Sequence, residues 1–152
     1  MGPRRLGRDL ALKLLFQVDV GRIPLAEVLA HFREDSAHLP CAALDYAESL
    51  AKGVALHLPE IDRILDELAE GWTIDRLASV DRNVLRIASY ELLHEQSVPV
   101  SVVINEAVEL AKKYSTADSG RFVNGILANV ARRLGLPEKR QSDQGAGTEA
   151  EG

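Results

Sequence analysis

The stretch FVNGILANV, residues 122–130, decides the fold. Its Asn124-Gly125 step between apolar residues is, taken alone, a strong short-range signal for a β-hairpin turn. A hairpin strand alternates apolar and polar side chains. Here Phe122-Val123 and Ile126-Leu127 are adjacent apolar pairs four positions apart, continued by Val130, Ala131 and Leu134, so the period is that of a helix. Asparagine and glycine inside a helix give up roughly 0.6 and 1 kcal/mol relative to alanine. That loss asks for a compensating contact. The expectation is that Gly125 admits a closely packed neighbouring helix and that Asn124 is buried and hydrogen-bonded, with Asn105 as its partner, because an unpartnered buried amide costs about 1–3 kcal/mol more.

Working outward, apolar residues recur at helical spacing nearly throughout, and alternating β-branched runs are missing. An all-α fold follows. Helices are expected at about residues 3–20, 24–34, 42–58 and 59–70, with Pro3, Pro24 and Pro59 at helix starts and Gly21 and Gly71 beyond helix ends. After the linker GWTIDRLA, Ser79 suits the N-cap of a fifth helix running to about residue 96, with Asp81 in its first turn. SVPVS interrupts it, and Ser101 suits the cap of a sixth helix over VVINEAVELAKKY. A seventh follows STAD, capped by Thr116 or Asp118, and stops at Gly135-Leu136-Pro137.

With 152 residues, 46% hydrophobic and 27% charged, the chain fits one globular domain over residues 1–135. Residues 136–152 have little to bury and are expected to form a disordered tail. No apolar run approaches the roughly 20 residues that span a bilayer, and the N-terminus does not end in a small-residue cleavage site, so a cytoplasmic protein without membrane partners is expected. Cys41 is the single cysteine, which excludes an internal disulfide framework. His31, His38, His57 and His94 lack a recognisable zinc spacing, and no P-loop, GxGxxG or GxSxG occurs. Neither an enzyme nor a bound metal or cofactor is expected.

The net charge of −5 is unevenly spread. Residues 1–22 carry net +3, residues 112–133 net +4, and residues 23–111 net −10. If the first and last helical segments pack side by side, one face is basic and the opposite lobe acidic, a polarity suited to an anionic partner; ordinary charge scatter on solvated faces is the alternative. Arg5, Arg8, Leu12 and Phe16 are spaced 3, 4 and 4, on one helical face. Arginine beside an exposed aromatic favours single-stranded RNA, since cations neutralise phosphates while rings stack on unpaired bases. The plainer reading keeps Leu12 and Phe16 in the core. In STADSGRF, Asp118 either caps the last helix or accepts from a base edge, with Arg121 and Phe122 one turn on contacting phosphate and base.

VDRNVLRIASYELL, followed by VPVSVVINEAVELAKKYSTADSGRFVNGILANV, closely resembles the most distinctive part of the NusB family of bacterial transcription antitermination factors. The resemblance runs from RRLGRDLALKLLFQVD to about Leu134, and its motif pair INEAVELAK and DSxxFVNGIL is long and specific. It implies seven helices in two small perpendicular bundles, with the basic first helix near the start of the last. It also implies binding of single-stranded boxA RNA from ribosomal RNA leaders, together with the ribosomal protein NusE, within an RNA polymerase antitermination complex. By position, the resemblance assigns RNA contacts to Arg4, Arg5, Arg8, Phe16, Asp118, Arg121 and Phe122, and NusE contacts to Asp81 and Arg82. Some family members form homodimers that hide RNA-binding surface, and the residues here leave monomer and homodimer both open. NusB-like domains also precede the catalytic domain of RNA cytosine methyltransferases, but no such domain is expected after this tail. A DNA-binding reading lacks a basic recognition helix after a short turn.

Overall fold

A computed structural model describes residues 2–137. The expected polar tail lies, from residue 138 onward, outside the described residues. The described residues form seven α-helices: α1 (Pro3–Asp19), α2 (Leu25–Asp35), α3 (Cys41–Leu56), α4 (Leu58–Glu67), α5 (Ser79–His94), α6 (Val100–Tyr114) and α7 (Ala117–Arg133). A 3₁₀ turn, Ile74–Arg76, stands in the linker between α4 and α5. No strand occurs among the described residues. None of the described helices is long and apolar enough to cross a membrane.

Helix α1 packs on α2 and α3, while α6 packs on α7, giving two bundles. Helix α5 joins them, lying against α1, α3, α4, α6 and α7. Its Val84, Leu85, Ile87, Ala88 and Leu92 are almost wholly buried, and the hydrophobic core runs through both bundles without a break. Burial on so many sides explains why α5 carries polar groups that must find partners inside the protein.

Two polar clusters, one buried and one part-buried, set α1 against α5. Near the start of α1, the Arg8 guanidinium donates to both Glu91 oxygens at 2.9–3.1 Å, and Tyr46 of α3 donates to the same carboxylate at 2.5 Å. At its end, Asp19 accepts from Arg82 at 2.7 Å and from Asn83 at 3.0 Å. The pairing of 8 with 91 and 19 with 82 makes the two helices antiparallel and fixes their register. Desolvation opposes charge on Arg8, but the hydrogen bond and charge of Glu91 prevail and raise its pKa. Desolvation likewise works against the Asp19 carboxylate, yet bonds from Arg82 and Asn83 hold its pKa below the ordinary value.

Several helix starts differ from expectation by a residue or two. Ala78, not Ser79, is the N-cap residue of α5, and Pro99, not Ser101, that of α6. Thr116 resolves the choice at α7: its hydroxyl accepts from the Ser119 amide at 3.0 Å. That releases Asp118 from capping.

The packing role expected of Asn124 and Gly125 is overturned. Asn105, Asn124 and Gly125 are all exposed, and a β-carbon at Gly125 would meet nothing within 4 Å. The helix is real, but this step faces solvent. Close approach occurs elsewhere, at Gly7, where a β-carbon would sit 2.9 Å from Tyr46 Cβ, and at Gly53, where it would overlap the Tyr90 ring. The buried amide of this fold is Asn83, which donates to Asp19, the Ser79 carbonyl and the Ser79 hydroxyl.

Candidate nucleic-acid interface

Helix α1 begins at Pro3, whose missing N–H is no loss in a first turn. Its apolar stripe, Ala11, Leu12, Leu14 and Leu15, is buried. One flank of that stripe stays outside and carries Arg5, Lys13 and Phe16, with the buried Asp9 on the same row beneath them. Phe16 is 43% exposed, although apolar transfer alone would bury it, so its ring is available for stacking.

The flank is joined to α6 by charge. Arg5 forms a two-pronged pair with Glu106 at 2.7 and 2.9 Å. The Asp9 carboxylate, 6% exposed, accepts from Lys113 at 2.8 Å and from the Tyr114 hydroxyl at 2.8 and 3.0 Å, with Lys13 3.3 Å away. Burial pushes Asp9 upward, but the bonds from Lys113 and Tyr114, aided by the charge of Lys13, hold its pKa below the ordinary carboxylate value. The Lys113 ammonium lies 5.1 Å and that of Lys13 5.9 Å from the centre of the exposed Tyr114 ring. Two cations therefore flank one aromatic, an arrangement that offers both phosphate neutralisation and base stacking.

From Tyr114 the chain passes through Ser115 and the N-cap Thr116 into α7. Asp118 and Arg121, both strongly exposed, pair with each other across one turn. Phe122 is half-buried, its ring set edge-on to Trp72 with centroids 5.7 Å apart. The ring thus packs toward the linker before the 3₁₀ turn and keeps part of its surface open. The N-terminus of α7 is tied back to α5, since the Ser119 hydroxyl lies 3.2 Å from Asp81 Oδ2.

A family model described as the NusB family matches residues 5–132. The chain belongs to the NusB family. It is 47% identical over 131 residues to the transcription antitermination protein NusB of Salinispora arenicola (strain CNS-205), covering 86% of this chain and 96% of that one. Among solved structures, T. maritima NusB is 41% identical with a TM-score of 0.77, over 87% of this chain and 92% of that one. A NusB crystallised with NusE and double-stranded RNA is 32% identical with a TM-score of 0.79, over 88% of this chain and 98% of its own.

Within this NusB fold the expected site residues divide. Arg5, Phe16, Asp118 and Arg121 reach the surface, as does Arg4, which lies 5.2 Å from the Tyr46 ring centre and 3.4 Å from the Ser97 hydroxyl. Arg8 does not. It is 4% exposed and committed to Glu91, so it cannot meet a phosphate without breaking the core. Leu12, read beside it on the same face, is also 4% exposed. Asp81 and Arg82 turn inward as well: Arg82 is held by Asp19 and by the Leu77 carbonyl at 2.7 Å, and Asp81 faces Ser119. Both join helices together and are part-buried.

Lys13, Lys113 and Tyr114 stand on the same face and were not assigned to it from sequence. One signal was available. Asp9 interrupts the apolar pattern of α1, and a buried carboxylate needs cations nearby, for which the Lys112-Lys113-Tyr114 end of α6 was the obvious source.

Proposed function

We propose that this chain acts as a transcription antitermination factor that binds boxA-type single-stranded RNA of ribosomal RNA leaders together with NusE, in the cytoplasm, and helps RNA polymerase resist termination. The observation that carries the reading is the exposed row of Phe16, Lys13, Tyr114 and Lys113, reached from Arg4 and Arg5 on one side and from Asp118, Arg121 and Phe122 on the other. The work is binding rather than bond-making. Family membership supports the biological role, and the relative crystallised with NusE and double-stranded RNA supports NusE and an RNA as partners.

Much of the positive charge on this face is already countered by Glu106, Asp9 and Asp118. RNA phosphates must compete with those carboxylates, so the isolated chain is expected to bind RNA modestly and NusE to add affinity. The segment 23–111, net −10, offers a basic ribosomal protein complementary charge.

The test is an anisotropy titration of boxA RNA and a scrambled RNA of equal length, with and without NusE. The reading expects preference for boxA and tighter binding with NusE. Equal affinity for both RNAs in the presence of NusE would overturn it.

A further inference from the structure

His57, Glu60 and His94 are brought together where the α3–α4 elbow meets the C-terminal end of α5. His57 is the single residue between α3 and α4, Glu60 lies in the first turn of α4, and His94 closes α5. Glu60 Oε1 is 3.2 Å from His94 Nε2 and 3.5 Å from His57 Nδ1. The two imidazoles stack with centroids 4.0 Å apart and planes 27° apart. One donor atom from each of the three side chains falls within 4.8 Å of the others.

Two imidazole nitrogens and a carboxylate oxygen form the donor set favoured by borderline divalent ions such as zinc. Ligand bonds of about 2.0–2.1 Å around a tetrahedral zinc put neighbouring donor atoms about 3.3 Å apart. The two nitrogen–oxygen edges observed here, 3.2 and 3.5 Å, already bracket that spacing. Among the described residues, Glu60 pairs with these two histidines and with no lysine or arginine that would compete for its charge. The side chains are 32%, 40% and 31% exposed, which leaves a path from solvent and room for water as a further ligand.

We propose that His57, Glu60 and His94 form a binding site for a divalent transition-metal ion, with zinc the best fit, and that the bound ion pins the α3–α4 elbow to the end of α5. Its three ligands come from two separate parts of the chain, so the ion stabilises the packing of α4 on α5 and favours the folded state by mass action. The site goes beyond RNA recognition and is read without RNA.

The test is calorimetric titration of the chelator-treated full chain with zinc chloride, alongside thermal unfolding with and without zinc. The expected result is saturable uptake of one ion per chain and a zinc-dependent rise in Tm. His57→Ala and His94→Ala should each weaken binding at least about tenfold, since even losing a group that merely orients a metal ligand costs that much. Glu60→Gln keeps the side-chain shape and should weaken binding too. Cys41→Ser, at the exposed cysteine, should leave it unchanged. Apo-protein Tm values establish that each variant is folded. Cobalt(II) supplies a second readout, a visible band of four-coordinate metal that disappears in both histidine variants. Absence of saturable uptake overturns the proposal, as does uptake that survives in His57→Ala/His94→Ala or is lost in Cys41→Ser.

Discussion

Arg5 and Arg8, three positions apart on α1, do different things because the helix turns one outward and the other into the core. Arg5 is 59% exposed on its Glu106 pair, and Arg8 is 4% exposed on Glu91. Removing Arg8 takes the ion-pair partner from a buried carboxylate, so Arg8→Met is expected to destabilise by about 3–5 kcal/mol in urea unfolding. Arg8→Met/Glu91→Leu, which removes both charges, should recover most of that loss. Phe16→Ala is the opposite case. It should leave Tm nearly unchanged and weaken RNA binding by about 1–3 kcal/mol if the exposed ring stacks on a base. Glu106→Gln, by releasing Arg5 from its countercharge, should tighten RNA binding in the same titration.

At the scale of the element, α7 and α3 make a contrasting pair through their glycines. Gly125 faces open space, so Gly125→Ala should raise stability by up to about 1 kcal/mol through helix propensity. Gly53 lies against the Tyr90 ring, so Gly53→Ala should lower stability by about 1–3 kcal/mol through overpacking. Denaturant midpoints of the two variants check the signs. Helix pairing also has a pH signature. Asp9 ties α1 to α6 and Asp19 ties it to α5, and both have pKa values held below the ordinary one. A depressed carboxylate pKa means the unfolded chain takes up protons first as pH falls. The stability these two groups contribute is therefore full well above an unfolded pKa of about 3.9 and drains away as pH drops through and below it. Asp9→Asn should flatten the loss of Tm on acidification, and an unchanged acid profile would contradict the assignment.

For the whole molecule, the seven helices and the family were legible because helical periodicity and long motifs survive in one dimension. What failed was the step from a helix to its faces. With about 3.6 residues per turn, Gly125 falls nearly opposite Val123 and Leu127, on the solvent side, and Arg8 falls between Ala11, Leu12 and Leu15, in the middle of the buried stripe. Both placements were available from the same period that identified the helices. Another feature was beyond reach. The meeting of His57 with His94 depends on how the α3–α4 elbow is set against α5, and no local pattern carries that.

The central claim is that the exposed flank of α1, together with the α6–α7 junction, is the RNA-binding face. Its most direct test is the salt dependence of boxA binding, with NusE present, for the native chain and for Arg5→Glu. Each phosphate contact on a single strand adds about 0.7 to the slope of log affinity against log salt. Arg5→Glu should bind more weakly and with a shallower slope, while its Tm stays close to native because Arg5 is a surface group. An affinity and slope identical to those of the native chain would remove this flank from the RNA site.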